Sequence, residues 1–376
     1  MKMEHIMRRW IALLLVCVMF LTAGCSSLFE KEYTSTRVYE DPDTTADADT
    51  TEIHNYSMLR RALNAMVASY RTSQVLIFAD YDGIIADDLS KACWELRSNT
   101  ALGAWCVRDI EYTTEQVVAY VEADITVSYK RSEQEVESLR NAQTRSALVE
   151  CVADALESQT KTVAVQMNTA ALSESDVAEL ALQTALDHPL LCVEVPEVNV
   201  TLYSGATNQK IFEITMLTRL SEAETLSRRE KLEAAAKTVI AELDADDPAA
   251  PLQAAVSVAR RVTPAGEGGT AYDALVNGAS DSQGLAMAVQ AVWLLMDAEG
   301  AVVSGQLDSA AHTWNLLKLG DNYYHLDLAG YAGTVWLQPD RDIWGRYWWS
   351  TDLYPACAAQ GFSWQEGQAL TLPQTP

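Results

Sequence analysis

Basic residues are scarce in this chain. It has 27 Lys and Arg against 52 Asp and Glu in 376 residues, a formal net charge of −25. Such an acidic surface repels nucleic acid and other polyanions, so a nucleic-acid partner is disfavoured. Histidine is rarer still, with five in the chain. A histidine-based metal site therefore has few ligands to draw on, and we expect no metal and no cofactor.

Cysteine is also sparse, and its spacing excludes two common uses. After Cys25 the count is odd and no CxxC pair occurs, which argues against a disulfide framework and against a zinc site. Most of these cysteines lie in apolar stretches, so we expect them to be small buried side chains. They are Cys93, Cys106, Cys151, Cys192 and Cys357.

An apolar run near the N-terminus, Trp10–Leu21, is too short to span a bilayer comfortably and follows a basic start. The sequence after it, Leu-Thr-Ala-Gly-Cys, ends at Cys25 and resembles a bacterial lipobox. It predicts a signal peptide over residues 1–24 and a lipid on Cys25. We therefore expect the mature chain to be anchored to the cell membrane on its extracytoplasmic face.

Residues 25–56 are rich in Thr, Asp and Glu and have almost no apolar periodicity. A segment of this composition cannot bury enough apolar surface to fold alone. It is typical of a flexible tether that holds a folded part away from a membrane.

The next part of the chain contains a weak internal repeat. Arg61–Ser69 (RALNAMVAS) is similar to Ser146–Asp154 (SALVECVAD), and Ile125–Lys130 is similar to Ile214–Arg219. The offset drifts from 85 to 89 residues, as changes in loop length would produce. The pattern indicates two tandem modules of about 85 residues.

Each module shows the same predicted order of a helix, a strand, a second helix and two strands. Module 1 covers residues 57–143 and module 2 covers residues 144–220, and both are α+β. The predicted strands include Trp105–Glu111 and Leu191–Val195. A connecting helix is predicted within 221–247, where Glu, Lys, Arg and Ala recur at helical spacing.

Chemistry is concentrated after residue 270. Asp281-Ser282-Gln283-Gly284 opens an apolar helix that starts at Leu285. A residue at the N-terminal end of a helix lies beside free backbone N–H groups and at the positive end of the dipole. That position favours a nucleophile and an oxyanion.

A predicted hairpin follows, with strands from His312 and from Asn322 joined at Gly320-Asp321. A two-residue turn places position 312 opposite position 329. Asp327 is then a diagonal neighbour of His312 on the same face, close enough to orient its ring.

Together these residues resemble the transglutaminase-like family, whose papain-like core has a Cys-His-Asp triad. The family pattern is Cys-x-Gly at a helix start, then His-x-Trp-Asn, then Gly followed by Tyr and Asp. This chain has Ser282-Gln-Gly, His312-Thr-Trp-Asn, Gly320, Tyr324 and Asp327. The resemblance covers about residues 250–360.

The resemblance implies an α+β, papain-like domain over residues 248–370, with a helix packed on an antiparallel sheet. It places Ser282, His312 and Asp327 at the triad positions. It also implies a ligand cleft near Trp314, Asn315 and Tyr324. Its natural ligand would be a peptide or cell-wall material.

The chain departs from the family at the nucleophile, where Ser282 replaces cysteine. A helix start and an imidazolium can bring a thiol pKa to about 3.5–7.5, whereas a serine hydroxyl needs a base during attack. Three hypotheses remain open. The domain binds without turnover as a pseudoenzyme; it is a serine-dependent peptidase or acyltransferase; or the function lies in the tandem modules as interaction surfaces.

Overall fold

The computed structural model of the chain describes residues 50–373. The predicted signal peptide, Cys25 and the predicted tether up to residue 49 lie outside these residues. The end of the tether differs from the prediction, because Thr50–Glu52 pairs as a strand with Val75–Ile77 and a helix begins at Tyr56. Helices and strands are mixed along the described chain, which confirms the α+β class.

A first four-stranded sheet and its helices occupy residues 50–137. The elements are β1 (Thr50–Glu52), α1 (Tyr56–Ala68), β2 (Ser73–Phe78), α2 (Ile85–Asn99), α3 (Ala101–Cys106), β3 (Val107–Val117), β4 (Tyr120–Tyr129) and α4 (Glu133–Glu137). The strand order is β1-β2-β4-β3, with β1 parallel to β2 and the other neighbours antiparallel. Leu59 and Leu89 of the helices share one core with Leu76 and Phe78 of β2.

A second four-stranded sheet occupies residues 140–217. The elements are β5 (Arg140–Asn141), α5 (Arg145–Glu157), β6 (Thr162–Asn168), α6 (Glu174–Asp187), β7 (Glu197–Ser204) and β8 (Gln209–Leu217). The strand order is β5-β6-β8-β7, with β5 parallel to β6 and the other neighbours antiparallel. Both sheets therefore have the same order and the same pairing directions.

Two predicted strands differ from the structure. Leu191–Val195 is not a strand, because the amides of Leu191 and Cys192 both donate to the His188 carbonyl and form a turn. The segment is apolar because Val193 is buried in the C-terminal core rather than in a sheet. The predicted strand at Trp105 begins two residues later, at Val107, since Ala101–Cys106 is helical.

Two helices connect the second sheet to the C-terminal part. They are α7 (Glu222–Ile240) and α8 (Ala250–Arg261). The predicted connecting helix corresponds to α7, which begins with a capping box between Ser221 and Glu224.

The C-terminal part is a helix packed on an antiparallel sheet. Its elements are β9 (Thr263–Pro264), a π-helical turn (Asp273–Asn277), β10 (Ala279–Ser280), α9 (Ser282–Leu295), β11 (Gly300–Leu307), β12 (Ala310–Leu319), β13 (Asn322–Leu326), β14 (Val335–Gln338), α10 (Asp340–Ile343), β15 (Tyr347–Trp349), a 3₁₀ turn (Thr351–Leu353) and β16 (Phe362–Trp364). The large sheet has the order β15-β11-β12-β13-β14-β16, and all its neighbours are antiparallel.

The two faces of this sheet have different covers. One face packs on α9, and Trp293 of the helix shares a core with Val302, Leu317 and Leu326. On the other face, Val303, Trp314 and Leu316 form a small core. The segment after α10 covers it with aromatic side chains, which include Tyr347, Trp349 and Tyr354.

Candidate active site

Ser282 is the first residue of α9 and lies at its N-terminal end. Asp281 is the N-cap residue, and its Oδ1 accepts from the Gly284 amide at 3.0 Å. The amides of Ser282 and Gln283 therefore have no partner within the helix. The local geometry is the one the sequence predicts for a helix-start nucleophile.

The start of α9 is held against the loop before it. Gln283 Nε2 donates to the Gly269 carbonyl at 2.8 Å. A Cβ atom on Gly284 would lie 2.3 Å from the Gly268 carbonyl oxygen and 2.8 Å from that of Thr270. Only glycine allows this close approach, so position 284 fixes where Ser282 lies.

The β12–β13 hairpin has the predicted turn and register. Leu319 pairs with Asn322 around Gly320-Asp321, and Asn315 pairs with Leu326. β13 ends at Leu326, so the part of β12 around His312 extends past the end of its neighbour.

His312 and Asp327 form a direct pair in this gap, with 2.7 Å between Nε2 and Oδ2. The same Oδ2 accepts from the Tyr347 hydroxyl at 2.8 Å, and Oδ1 accepts from the Ala329 amide at 2.9 Å. Burial raises the pKa of Tyr347, and the Asp327 charge raises it further, so the phenol remains a donor. Because a carboxylate only accepts, His312 donates to Asp327 through Nε2, and Nδ1 is the ring nitrogen that Asp327 does not bind.

The Ser282 hydroxyl lies beside β12. Its Oγ accepts from the amide of Thr313 at 3.2 Å, and this amide directly follows His312. Among residues 50–373, no hydrogen bond joins the Ser282 side chain to the His312 ring. The three triad positions thus meet, but the hydroxyl is bound to backbone rather than to the base.

The predicted cleft residues are buried. Trp314 is on the His312 face, where its ring is 6.1 Å from the His312 ring and inclined by 19°. Asn315 and Tyr324 are on the opposite face. Asn315 Nδ2 donates to the Ala286 carbonyl of α9, and Tyr324 packs on Phe362. Asn315 thus joins β12 to α9, and Tyr324 packs within the sheet. A role of these residues in ligand binding stays a prediction.

A second histidine–carboxylate pair lies on the same face and is not suggested by any motif. His325 Nε2 is 2.8 Å from Asp340 Oδ1, and the Cys357 amide donates to Asp340 Oδ2 at 3.1 Å. The available signal is the even spacing of 325 and 327, which puts both side chains on one face of the chain at the end of β13. Asp340 and Cys357 follow much later, and only the tertiary fold brings them together.

The side chains of His325, Asp340 and Cys357 are close enough to consider a metal ion, with their ligand atoms within 4.8 Å of one another. However, His325 Nδ1 accepts a hydrogen bond from Trp314 Nε1 at 2.9 Å. The proton of this neutral ring is therefore on Nε2, the atom that would have to bind the ion. Hydrogen bonding thus fits these three residues better than metal coordination does.

Several aromatic side chains near the site are exposed. Trp344 and Trp348 are 60% and 52% exposed, with ring centroids 5.9 Å apart. Trp349, in contrast, packs edge-on against both Trp314 and His325. The C-terminal tryptophans therefore divide between core and surface.

A cavity of about 320 Å³ lies away from this site, where α5 ends and α7 begins. Arg229 lines it, but its guanidinium donates to the carbonyl oxygens of Leu156, Glu157 and Leu191. The arginine caps the end of α5, so we assign this cavity no ligand.

Comparison with known proteins identifies no family for this chain. No protein-family model and no curated protein matches the chain. Among solved structures, one described as the crystal structure of a TGase aligns at 10% identity with a TM-score of 0.27. The alignment covers 55% of this chain and 61% of the other, so the chain matches less than two thirds of that structure. At this identity and TM-score, the alignment shows neither family nor activity.

Proposed function

We propose that residues 248–370 form a transglutaminase-like domain that binds peptide or cell-envelope material beside His312 without turnover. The observation that supports it most is the position of Ser282. It occupies the helix-start nucleophile position next to a His312–Asp327 pair, yet its hydroxyl is bound by the Thr313 amide. Within residues 50–373, no hydrogen bond joins the Ser282 hydroxyl to a base, whereas attack by serine requires one to take its proton.

The binding proposal is tested by adding wall-derived muramyl peptides to the purified protein and following amide resonances. We expect shifts that concentrate around Thr313 and Tyr347, no change in peptide mass, and loss of binding in His312→Ala. His54→Ala is the matched control, because His54 is half-exposed and lies in the first sheet region. Binding that survives His312→Ala and shifts residues 57–220 instead would reject the cleft and favour the tandem modules.

A serine-dependent peptidase or acyltransferase is the second candidate. The orientation of His312 favours it, since Nε2 is bound to Asp327 and Nδ1 is the ring nitrogen that Asp327 does not bind. Rotation of the Ser282 side chain toward that nitrogen would complete a Ser282-His312-Asp327 triad. Labelling with an active-site serine reagent separates this candidate from the first.

We further propose that residues 57–143 and 144–220 are tandem copies of one α+β module. The shared strand order and pairing directions support this. The sheets place the module starts at residues 50 and 140 rather than 57 and 144, because β1 and β5 each pair within the sheet that follows them. The two parts are joined by Glu213 of β8, which accepts from Trp105 Nε1 and pairs with Arg131 at 2.6 Å. If they are separate modules, hydrogen exchange should detect two cooperative units that open at different free energies. A single unit across both sheets would argue against separate modules.

Finally, we propose that the protein is a lipoprotein held on the extracytoplasmic face of the cell membrane through Cys25. The lipobox-like sequence supports this. Within residues 50–373, no helix is long and apolar enough to cross a bilayer. Mass spectrometry of the N-terminal peptide tests the anchor. We expect a diacylglyceryl group on Cys25, and a Cys25→Ser protein that is unmodified and released from membranes.

A further inference from the structure

The side chain of Trp314 is buried beside His312 on the covered face of the sheet, where the proposed function puts a ligand cleft. Its indole ring stacks at 6.1 Å from His312 and meets Tyr347 edge-on at 5.0 Å. Tyr347 in turn donates to Asp327. Any movement of the indole would therefore alter the surroundings of both members of the His312–Asp327 pair.

One hydrogen bond fixes the orientation of that indole. Trp314 Nε1–H donates to His325 Nδ1 at 2.9 Å, and both side chains are buried. His325 can accept this bond only while Nδ1 carries a lone pair. Asp340 favours this tautomer, because its Oδ1 accepts a hydrogen bond from the Nε2–H of the ring at 2.8 Å.

From this geometry we infer that His325 and Asp340 are positioning residues for the His312 cleft, which they shape by holding Trp314. Neither residue touches His312 directly in the hydrogen-bond network; they act through the indole. The inference rests on the proposed function in that it takes the His312 cleft to be the functional site.

Protonation of His325 would break the arrangement. A second proton on Nδ1 would face the Trp314 N–H, and two donors cannot bond to each other. Burial lowers the pKa of His325, although the Asp340 charge opposes that effect. We therefore expect the indole to be held at neutral pH and released only below the ordinary histidine range of about 6.5.

The charged and titratable groups around His325 are few. Asp340 faces it from α10 and Cys357 from the segment that follows. Asp327 lies two residues farther along the chain, just past β13, and is bound to His312. Burial and the Asp340 charge raise the pKa of the Cys357 thiol, so it stays neutral. The other neighbours are uncharged side chains: Trp314, Leu316, Gln338 and Trp349.

The test compares His325→Gln with His325→Leu in the full protein by NMR. A glutamine amide can accept from Trp314 and donate to Asp340, but it does not titrate. Leucine removes both bonds. The readouts are the solvent exchange of the Trp314 indole N–H and the ring-proton shift of His312, which senses the indole through its ring current.

We expect His325→Gln to keep both signals at their wild-type values and His325→Leu to change both, with indole exchange about tenfold faster. On acidification, the wild type should show a step in the Trp314 indole N–H shift that the glutamine variant lacks. The His312 shift is compared only at neutral pH, because its own ring can take up a proton on acidification. If His325→Leu does not fold, this pH step alone decides the question.

Equal His312 shifts in the wild type and both variants at neutral pH would overturn the inference. So would a pH step in the Trp314 indole N–H shift that persists in His325→Gln. Neither readout needs a ligand, so a protein that binds no peptide would refute the proposed function and leave this test unaffected.

Discussion

His312 Nε2 and Asp327 Oδ2 are 2.7 Å apart, although Asp327 lies one residue past the end of its strand. The pair forms because the two chains of the hairpin keep the same register past their last paired residues. Asn315 opposite Leu326 extends to 312 opposite 329, which leaves Asp327 on the diagonal. The pair that the proposed function needs is thus set by a two-residue turn at Gly320-Asp321.

A cysteine in place of Ser282 should have a lowered thiol pKa. In Ser282→Cys, the helix start, the Thr313 amide and His312 should together lower the thiol pKa from about 8.5 to about 3.5–7.5. The rate of alkylation by iodoacetamide as a function of pH measures this. The wild type measures the background from the five other described cysteines, of which four are buried: Cys93, Cys106, Cys151 and Cys192. Burial raises the pKa of the fifth, Cys357, so its thiol reacts slowly.

The control for that experiment is Ser282→Cys combined with His312→Ala. We expect its thiol to alkylate with an ordinary, higher pKa. Identical pH profiles for the single and double variants would mean that His312 does not act on position 282, and the triad assignment would fail.

Gly284→Ala should destabilise the protein and displace Ser282. The added Cβ would lie 2.3 Å from the Gly268 oxygen and 2.7 Å from Ser280 Cβ. Overpacking of this kind costs about 1–3 kcal/mol in the free energy of unfolding, which urea denaturation measures. Gly266→Ala is the matched control, since nothing lies within 4 Å of its Cβ position. Equal stability of the two variants would show that the helix start is not held as described.

Asp187 should make stability depend on pH in a characteristic direction. Its Oδ1 accepts from the Val302 amide at 2.8 Å, on the part of β11 that β15 does not cover. Burial raises the pKa of Asp187 to about 6. A carboxyl with a raised folded pKa contributes stability that is fully present below the unfolded value of about 4 and is lost as pH rises through about 6.

The contribution lost between pH 4 and pH 7 is about 2 kcal/mol, because at pH 4 about half of the unfolded carboxyl is already ionised. We expect urea denaturation across this range to show that difference between the wild type and Asp187→Asn. The control is Asp308→Asn, because Asp308 is an exposed carboxylate paired with Arg346. We expect this variant to show the same pH-dependent contribution of Asp187 to stability as the wild type. Parallel stability curves for the wild type and Asp187→Asn would contradict the assignment.

The sequence allowed the pairing of His312 with Asp327 to be predicted, because a short turn fixes register locally. It also allowed the helix start at Ser282 to be predicted, because Asp281 is a strong N-cap. The hydrogen bond from Thr313 to Ser282 could not be predicted, since it depends on how closely α9 approaches β12. The hydrogen bond from Tyr347 to Asp327 could not be predicted either, because it depends on the order of the strands in the sheet.

Other differences have the same origin. Leu191–Val195 has the apolar composition of a buried strand, but it is apolar because it packs against the C-terminal core. The strand Glu197–Ser204, which alternates more clearly, was not predicted. The network of His325, Asp340 and Cys357 joins residues up to 32 positions apart, and no local pattern marks it.

The most direct test of the central claim is labelling of the purified protein with a fluorophosphonate probe, beside Ser282→Ala, with the labelled peptide mapped. Because the Ser282 hydroxyl is bound by the Thr313 amide and not by His312, we expect no label on Ser282 in the folded protein. Label that maps to Ser282 and disappears in Ser282→Ala would show an activated serine. That result would contradict a binding domain without turnover and favour the serine-dependent enzyme.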